Sequence, residues 1–215
     1  EAVLLELNAD IVALQEVDAR FGDRQGLLNL DLLHNLGRYR AAPDIGSRIR
    51  SHGWHGNVVL YREGVVSSVD RLSLPGLEPR GAIVVDLDLN NISLRVIAAH
   101  LGLLRRSRAQ QVSMILNAAQ PSDGRPVIVM GDFNAAPNNP AFVTLVEQGD
   151  LRDTLSVAHP DEKNIGTFNG FGRTPNGPKI DAVLVSPQWQ VEDAEIIRVR
   201  DDALHVLKQS GTTTL

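Results

Sequence analysis

The sequence predicts an α/β fold in which two β-sheets pack against each other and helices cover their outer faces. Short apolar runs rich in Val and Ile, typical of buried strands, recur along the chain. Segments with the apolar spacing of amphipathic helices lie between them. Because strands and helices alternate, and no repeat or linker rich in Pro and Ser interrupts the 215 residues, a single domain over 1–215 is the simplest arrangement.

Helices are expected where apolar residues recur three and four positions apart, at 1–7, 27–36 (ending at Gly37), 105–119 and 140–146. Strands are expected at the short apolar runs 11–14, 57–61, 83–89, 92–100, 127–130, 180–185 and 195–199. The pair Asn90-Asn91 suits a tight turn, which predicts a hairpin between the third and fourth of these strands. Segments 41–55 and 167–178 are expected to be loops, and 199–215 an irregular tail.

The composition argues against several classes of protein. With 21 basic and 26 acidic residues, the formal net charge is -5, which disfavours a broad nucleic-acid-binding face. Cysteine is absent, which excludes a disulfide framework and a thiolate metal site. No apolar run is long enough to span a bilayer, and no secretory signal is visible. The chain begins at Glu1 rather than Met, which leaves open a longer native N-terminus; a cytoplasmic location is slightly favoured.

Polar side chains lie at the ends of several expected strands. They are Glu16 after 11–14, His100 at the end of 92–100, Asp132 and Asn134 after 127–130, and Asp181 just inside 180–185. Taken singly, each has a plain structural explanation, such as a turn, a solvated carboxylate or a core histidine. Their recurrence at strand ends instead predicts a rigid platform for a functional site.

Seven sequence blocks resemble, in order, those of the endonuclease/exonuclease/phosphatase superfamily. The blocks are ADIVALQEV at 9–17, HGNVVL at 55–60, RGA at 80–82, AHLG at 99–102, GDFN at 131–134, TFNGF at 167–171 and KID at 179–181. They extend over most of the chain, 9–187, and their order and spacing make the resemblance specific. It implies a four-layer α/β sandwich, a divalent metal and hydrolysis of phosphoesters.

The resemblance implies a metal site of carboxylates. Glu16 and Asp132 would hold the cation, Asp132 would also orient or activate the attacking water, and Asp181 would act as a supporting carboxylate. Clustered carboxylates repel one another unless a cation joins them. Hard oxygen ligands suit Mg²⁺ or Mn²⁺, which are the expected cofactors.

The remaining roles implied by the resemblance concern the phosphate group. Asn134 and Asn57 would contact phosphate or Asp132, and His100 would donate a hydrogen bond to the charge developing on phosphorus. Arg80 would reach an anionic group of the substrate. Trp54, which lies shortly before Asn57, is expected near the mouth of the substrate site together with its neighbouring histidines.

Two elements of the superfamily pattern differ here. Its members usually open with a strand carrying a metal-binding Asn, whereas this chain opens inside the following helix. They usually end in a Ser-Asp-His block before a last strand, whereas here His205 follows Leu204. We therefore expect the first and last strands of the sandwich to be missing and catalysis to be impaired; whether His205 replaces the histidine base is left open.

The expected function is divalent-metal-dependent hydrolysis of a phosphoester by a phosphodiesterase, nuclease or phosphatase. The alternative is a non-catalytic binding module, or a fragment, that retains the fold. The substrate could be a nucleic acid, a lipid head group or a small phosphate ester; no strong nucleic-acid patch and no membrane anchor favours one of them. The cluster Arg105-Arg106-Ser107-Arg108 could meet phosphate or form a solvated helix face. The oligomeric state is left open.

Overall fold

The structure is a computed structural model that describes residues 1–19, 25–42, 51–162, 166–168, 177–198 and 205–209. Its helices are α1 (Ala2–Leu7), α2 (Leu30–Gly37), α3 (Arg105–Ala118), α4 (Pro140–Gly149) and α5 (Thr154–Ala158). The strands of the first half are β1 (Ile11–Leu14), β2 (Arg40–Ala42), β3 (Val58–Tyr61), β4 (Val65–Leu74), β5 (Arg80–Leu89) and β6 (Ile92–His100). Those of the second half are β7 (Val127–Asp132), β8 (Arg152–Asp153), β9 (Asp181–Val185), β10 (Ala194–Arg198) and β11 (His205–Gln209).

The strands form two main sheets and one small one. The larger sheet has six strands in the order β4-β5-β6-β7-β9-β8, and the smaller has three in the order β1-β3-β2. All neighbouring pairs are antiparallel except β6 and β7, which run parallel. A parallel pair needs a crossover connection, and α3 supplies it here. The strands β10 and β11 pair with each other in a third, two-stranded sheet.

Alternation of side chains along the strands explains why the layers stack in the order helix, sheet, sheet, helix. On β3, Val58 and Leu60 pack with α1 and α2, whereas Val59 and Tyr61 face the six-stranded sheet. On β5, Ile83 and its alternate neighbours complete the interior between the two sheets. The opposite face of the same strand packs against α3 and α4. The expected sandwich of two packed sheets flanked by helices is thus confirmed.

Several boundaries differ from the sequence prediction for local reasons. The second helix begins at Leu30 because the Asn29 side chain accepts a hydrogen bond from the Leu32 N–H, which caps the helix there. The fourth helix runs on to Gly149 and ends where Asp150 adopts a left-handed conformation. The expected hairpin turn is confirmed, with positive φ at both Asn90 and Asn91.

Some elements were not expected from the sequence. The long strand β4 lies at the edge of the six-stranded sheet and is half exposed along most of its length, so it lacks the apolar run of a buried strand. The strands β2 and β8 and the helix α5 are only two to five residues long. Residues 205–209, expected within an irregular tail, instead form β11 because their backbone pairs with β10. Much of the two expected loops, 43–50 and 169–176, lies outside the described residues.

Among the described residues, no helix is both long enough and apolar enough to cross a membrane.

The close approach of β7 to β6 yields a stability prediction at Gly131. This residue has φ 140°, and a Cβ there would lie 2.0 Å from the backbone oxygen of Ala99. We expect Gly131→Ala to lower the free energy of unfolding by about 3 kcal/mol or more, from clash and backbone strain together. Urea unfolding measures the loss.

The matched control is Gly124→Ala, which also has positive φ but has no atom near the added Cβ. This control should lose only about 1 kcal/mol, the cost of a left-handed residue without a clash. Equal losses for the two variants would contradict a role for close packing at Gly131.

Candidate active site

Three of the predicted polar residues lie side by side across one end of the six-stranded sheet. In the strand register, His100 of β6 is the partner of Asp132 of β7, and Asp132 is the partner of Asp181 of β9. Partners in neighbouring strands place their side chains on the same face of a sheet, about 5 Å apart at Cβ. The structure therefore brings these three residues together as the sequence predicts.

The backbone around Asp132 is fixed by hydrogen bonds beyond the end of β7. The Leu101 N–H donates to the Asp132 backbone oxygen over 2.9 Å, and the Asn134 N–H donates to Asp132 Oδ1 over 2.8 Å. The Asn134 side chain donates from Nδ2 to the Leu101 backbone oxygen over 2.8 Å. Asn134 thus contacts Asp132 through its main chain, and its side-chain amide joins the ends of β6 and β7.

The Asp132 carboxyl has an unusual protonation equilibrium. Burial, followed by the negative charge of Asp181, raises its pKa from 3.8 to about 7. The charge of Glu16 acts in the same direction, whereas the Asn134 N–H and the Arg80 guanidinium lower the pKa. A carboxyl with a pKa near neutrality is suited to take up and release a proton under physiological conditions.

The His100 ring lies between Asp132 and Arg80. The ring is buried, its Nε2 lies 3.5 Å from Asp132 Oδ2, and its Nδ1 lies 2.8 Å from Arg80 Nη1. Because a guanidinium can only donate, Nδ1 must be the acceptor in this hydrogen bond. In the neutral ring the proton is therefore on Nε2, on the side of Asp132.

Two carboxylates also lie next to the Arg80 guanidinium group. Its Nε and Nη2 lie 3.1 Å and 3.0 Å from Glu78 Oε2, and its Nη1 lies 3.8 Å from Glu16 Oε1. The Arg80 side chain is largely buried. Glu16 itself follows β1 in a left-handed conformation, and its side chain is about half exposed. Arg80 therefore links Glu16 to His100 and orients the ring, a role that the sequence did not indicate.

Asn57 lies behind this row and is fully buried. Its Nδ2 donates to the backbone oxygens of Trp54 and Gly81, over 3.1 Å and 3.0 Å. Gly81 is the register partner of His100 on β5, and a Cβ at Gly81 would lie 2.8 Å from the Trp54 ring. In this arrangement Asn57 fastens its own loop beside the site, and it has no surface open to substrate.

A cleft of about 610 Å³ opens beside the row. Its wall includes Arg80 and His100 together with the carboxylates of Glu16, Asp18 and Glu78. His55 also lines the cleft, as expected for the loop before Asn57, whereas Trp54 donates from Nε1 to the Leu72 backbone oxygen over 3.1 Å. Asp18 and Glu78 were not predicted as site residues; the only sequence indication was that each lies two positions from a predicted one, Glu16 or Arg80.

A divalent cation fits the donors at this end of the sheet. Glu16, Asp132 and Asp181 lie close enough for the other two charges to raise the pKa of Asp132. Mg²⁺ usually takes one or two carboxylates and completes its shell with water and substrate phosphate, so it needs no cage of side chains. No such cage of three or more His, Cys, Asp or Glu is found in the part of the chain that the structure describes. Glu16 and Asp132 are the residues that would hold the ion.

The fold and this site define a class of protein, an α/β sandwich with a histidine and clustered carboxylates at one end of its larger sheet. Residues 1–208 match the Endonuclease/Exonuclease/phosphatase family, and the chain belongs to that family. Members of this family are hydrolases that act on phosphoesters.

The uncharacterized protein YbhP of Escherichia coli K12 is 30% identical in an alignment of 173 positions that covers 71% of this chain and 64% of that protein. The chain therefore matches less than two thirds of this relative's length.

Solved structures show the same fold. The catalytic domain of human Nocturnin with bound sulfate superposes with a TM-score of 0.73 at 20% identity, covering 97% of this chain and 83% of that one. A mannosyl-6-phosphatase of Bacteroides thetaiotaomicron gives a TM-score of 0.69 at 15% identity, covering 95% of this chain and 83% of that one. At these identities the likeness concerns the fold alone.

The raised pKa of Asp132 predicts a pH-dependent stability in the metal-free chain. Between pH 3.8 and about 7 the folded carboxyl binds more protons than the unfolded one, so stability falls as pH rises through this window. The full fall amounts to at most about 4 kcal/mol. Asp132→Asn should abolish it, so that the variant becomes progressively more stable than wild type with rising pH, as chemical unfolding in the presence of a chelator would measure.

Asp123→Asn is the control for this measurement. The Asp123 carboxyl is exposed, and its hydrogen bonds with Arg125 lower its pKa to about 2, below the window. Its variant should differ from wild type by a nearly constant amount above about pH 5, where the Asp123 carboxyl is ionised in both the folded and the unfolded state. If the unfolding free energy of Asp132→Asn also differs from that of the wild type by a constant amount over this pH range, the Asp132 pKa is not raised.

The contact between Arg80 and His100 predicts a change of tautomer. In Arg80→Met, no guanidinium donates to Nδ1, so the fixed Nε2–H form should give way to a mixture of the two neutral tautomers. Nitrogen chemical shifts of the ring, measured by NMR, report this directly. The exposed Arg71 on β4 provides the control, since Arg71→Met should leave the His100 signals unchanged. An unaltered Nε2–H form in Arg80→Met would refute the orienting role.

Proposed function

We propose that this chain hydrolyses phosphoester bonds with the help of Mg²⁺ or Mn²⁺. The observation that carries the proposal is the pairing of His100, which lines an accessible cleft, with Asp132, whose pKa is raised to about 7. Membership of a family of phosphoester hydrolases supports it. The bound cation would neutralise charge on the phosphate oxygens, with Glu16 and Asp132 holding it.

Asp132 and His100 would divide the proton chemistry between them. Asp132 in its carboxylate form would accept a proton from a water molecule as the water oxygen attacks phosphorus. The P–O bond to the alcohol would break in turn, and the departing alcohol oxygen would take its proton from solvent. His100 would present its Nε2–H to a phosphoryl oxygen and stabilise the negative charge that develops there. Asp181 would act indirectly, because its negative charge next to Asp132 favours the uptake of a cation or a proton there.

Arg80 would support the reaction by orienting His100 rather than by capturing substrate. Its guanidinium is already engaged by Glu78 and by the His100 ring, and it is largely buried. Contact of Arg80 with an anionic group of the substrate, expected from the sequence, would therefore be secondary to its contact with His100. Asn134 and Asn57 would likewise act by holding the strand end and the neighbouring loop in place.

The walls of the cleft favour a small phosphoester or a lipid head group over a nucleic acid. Glu16, Asp18 and Glu78 place carboxylates along the wall, and the whole chain carries a net charge of -5. A nucleic acid would bring further phosphates close to these carboxylates, and the repulsion would weaken binding. An ester with a single phosphate group avoids that repulsion.

The test is hydrolysis of p-nitrophenyl phosphate and bis(p-nitrophenyl) phosphate by the 215-residue chain in Mg²⁺, in Mn²⁺ and in a chelator. The two probes distinguish a monoesterase from a diesterase. We expect turnover only with metal, and a fall in kcat of about 10²- to 10⁴-fold in Asp132→Asn and about 10²- to 10³-fold in His100→Gln.

Asp123 is exposed and its carboxylate accepts hydrogen bonds from Arg125, so Asp123→Asn should retain wild-type turnover. Turnover that persists in the chelator, or that Asp132→Asn leaves intact, would contradict the proposal. Metal-dependent turnover that is slow yet abolished by both active-site substitutions would agree with the expected impairment and leave the assignment of roles standing.

A further inference from the structure

Three exposed leucines lie together on two loops beside the cleft, and we call them the leucine rim. Leu77, between β4 and β5, is 88% exposed, and Leu103 and Leu104, between β6 and α3, are 58% and 51% exposed. All three line one shallow hollow, and Leu103 lines the catalytic cleft as well. Leu27, also exposed, lies on the wall of the same cleft. Exposed apolar residues that adjoin one another usually mark a contact surface.

The two loops of the leucine rim are fixed by buried side chains of α3. Gln111 is fully buried, donates to the Pro75 backbone oxygen over 2.7 Å and accepts from the Gly102 N–H over 2.8 Å. Arg108 donates to the backbone oxygens of Gly102 and Leu103, over 3.2 Å and 2.6 Å. The leucines are therefore presented by anchored loops, and their exposure is a property of the fold.

The leucine rim adjoins the carboxylates of the cleft wall on Glu16, Asp18 and Glu78, and it adjoins basic residues at the start of α3. Arg105 and Arg106 follow Leu104 directly and are both exposed. The first turn of α3 contains no acidic residue, although positive charge is unfavourable at the start of a helix. Glu78, the acidic residue between the two loops, is paired with Arg80 at 3.0 Å. The helix gains nothing from this pair of arginines, which suggests that they serve an external anionic partner.

We propose that the leucine rim, with Arg105 and Arg106, docks the chain on an anionic phospholipid surface. A few exposed apolar residues flanked by basic ones are typical of proteins that bind the interface of a bilayer without crossing it. A protein partner fits less well, because Trp, Tyr and Arg dominate the energetics of protein interfaces, leucine is under-represented among them, and none of the described residues that line the hollow of the leucine rim is aromatic.

Docking in this way would place the cleft beside the lipid head groups, because Leu103 belongs to both surfaces. Resting on the proposed hydrolytic function, this inference names the phosphoester of a lipid head group as the substrate class. Such an ester carries few charges, in keeping with the acidic wall of the cleft, and its apolar chains would remain in the bilayer.

The binding test is flotation of the full chain with vesicles of phosphatidylcholine alone and of phosphatidylcholine mixed equally with phosphatidylserine. We expect binding to the mixed vesicles, weakened by added salt. In Leu77→Ser combined with Leu104→Ser, vesicle affinity should fall about 100-fold, since loss of each buried leucine costs about tenfold. In Arg105→Gln combined with Arg106→Gln, binding to the mixed vesicles should fall about tenfold or more.

Leu36→Ser is the matched control, because Leu36 on α2 is 66% exposed and lines neither the cleft nor the hollow of the leucine rim. Its vesicle affinity should equal that of the wild type. Absence of wild-type flotation with either type of vesicle, or an equal loss in Leu36→Ser, would overturn the inference. Binding that persists after both leucines are replaced would overturn it as well.

Hydrolysis of bis(p-nitrophenyl) phosphate, which is soluble, separates the two proposals. The Leu77→Ser and Leu104→Ser substitutions should leave its turnover unchanged, because neither residue belongs to the row of His100, Asp132 and Asp181. If the wild type hydrolyses the soluble ester and does not float, the docking inference alone fails. If it floats through the leucine rim and hydrolyses no phosphoester, docking is supported and the proposed function fails.

Discussion

The parallel pairing of β6 with β7 is the constraint on which the site depends. Every other neighbouring pair in the six-stranded sheet is antiparallel, and this one exception sets the two strand ends side by side at the same edge. His100 and Asp132 close these strands in matching register, and the antiparallel strand β9 then adds Asp181 at its first residue. A shift of one residue in any of these pairings would turn one of the three side chains to the opposite face.

The arrangement that brings His100, Asp132 and Asp181 together also lowers the stability of the folded state. An ionised Asp132 is largely removed from water next to another carboxylate, and its raised pKa reflects how strongly the folded state resists that charge. Arg80 relieves part of the cost, while its hydrogen bond fixes the His100 ring. Stability is given up at the residue to which we assign proton transfer, a compromise that active sites commonly show.

The sequence was informative wherever function and folding required the same residues. The apolar runs that end at Glu16, His100 and Asp132 predicted the buried strands and the site together, because a buried strand is recognisable by its composition. The edge strand β4 was missed for the opposite reason. It is half exposed, and an irregularity between Val66 and Ser68 breaks its two-residue alternation. The partnership of Arg80 with His100 spans twenty residues and follows from the register alone, which local pattern does not reveal.

Helix α3 links the candidate active site to the leucine rim. As the crossover between β6 and β7 it allows their parallel pairing, and therefore the contact between His100 and Asp132. Its buried Gln111 and Arg108 reach back to the loop that follows His100 and hold the leucines beside the cleft. Because α3 fixes both the ends of β6 and β7 and the loops of the leucine rim, the fold sets the distance from the row of His100, Asp132 and Asp181 to the leucine rim. A surface held by the leucine rim would therefore always meet the cleft in the same orientation.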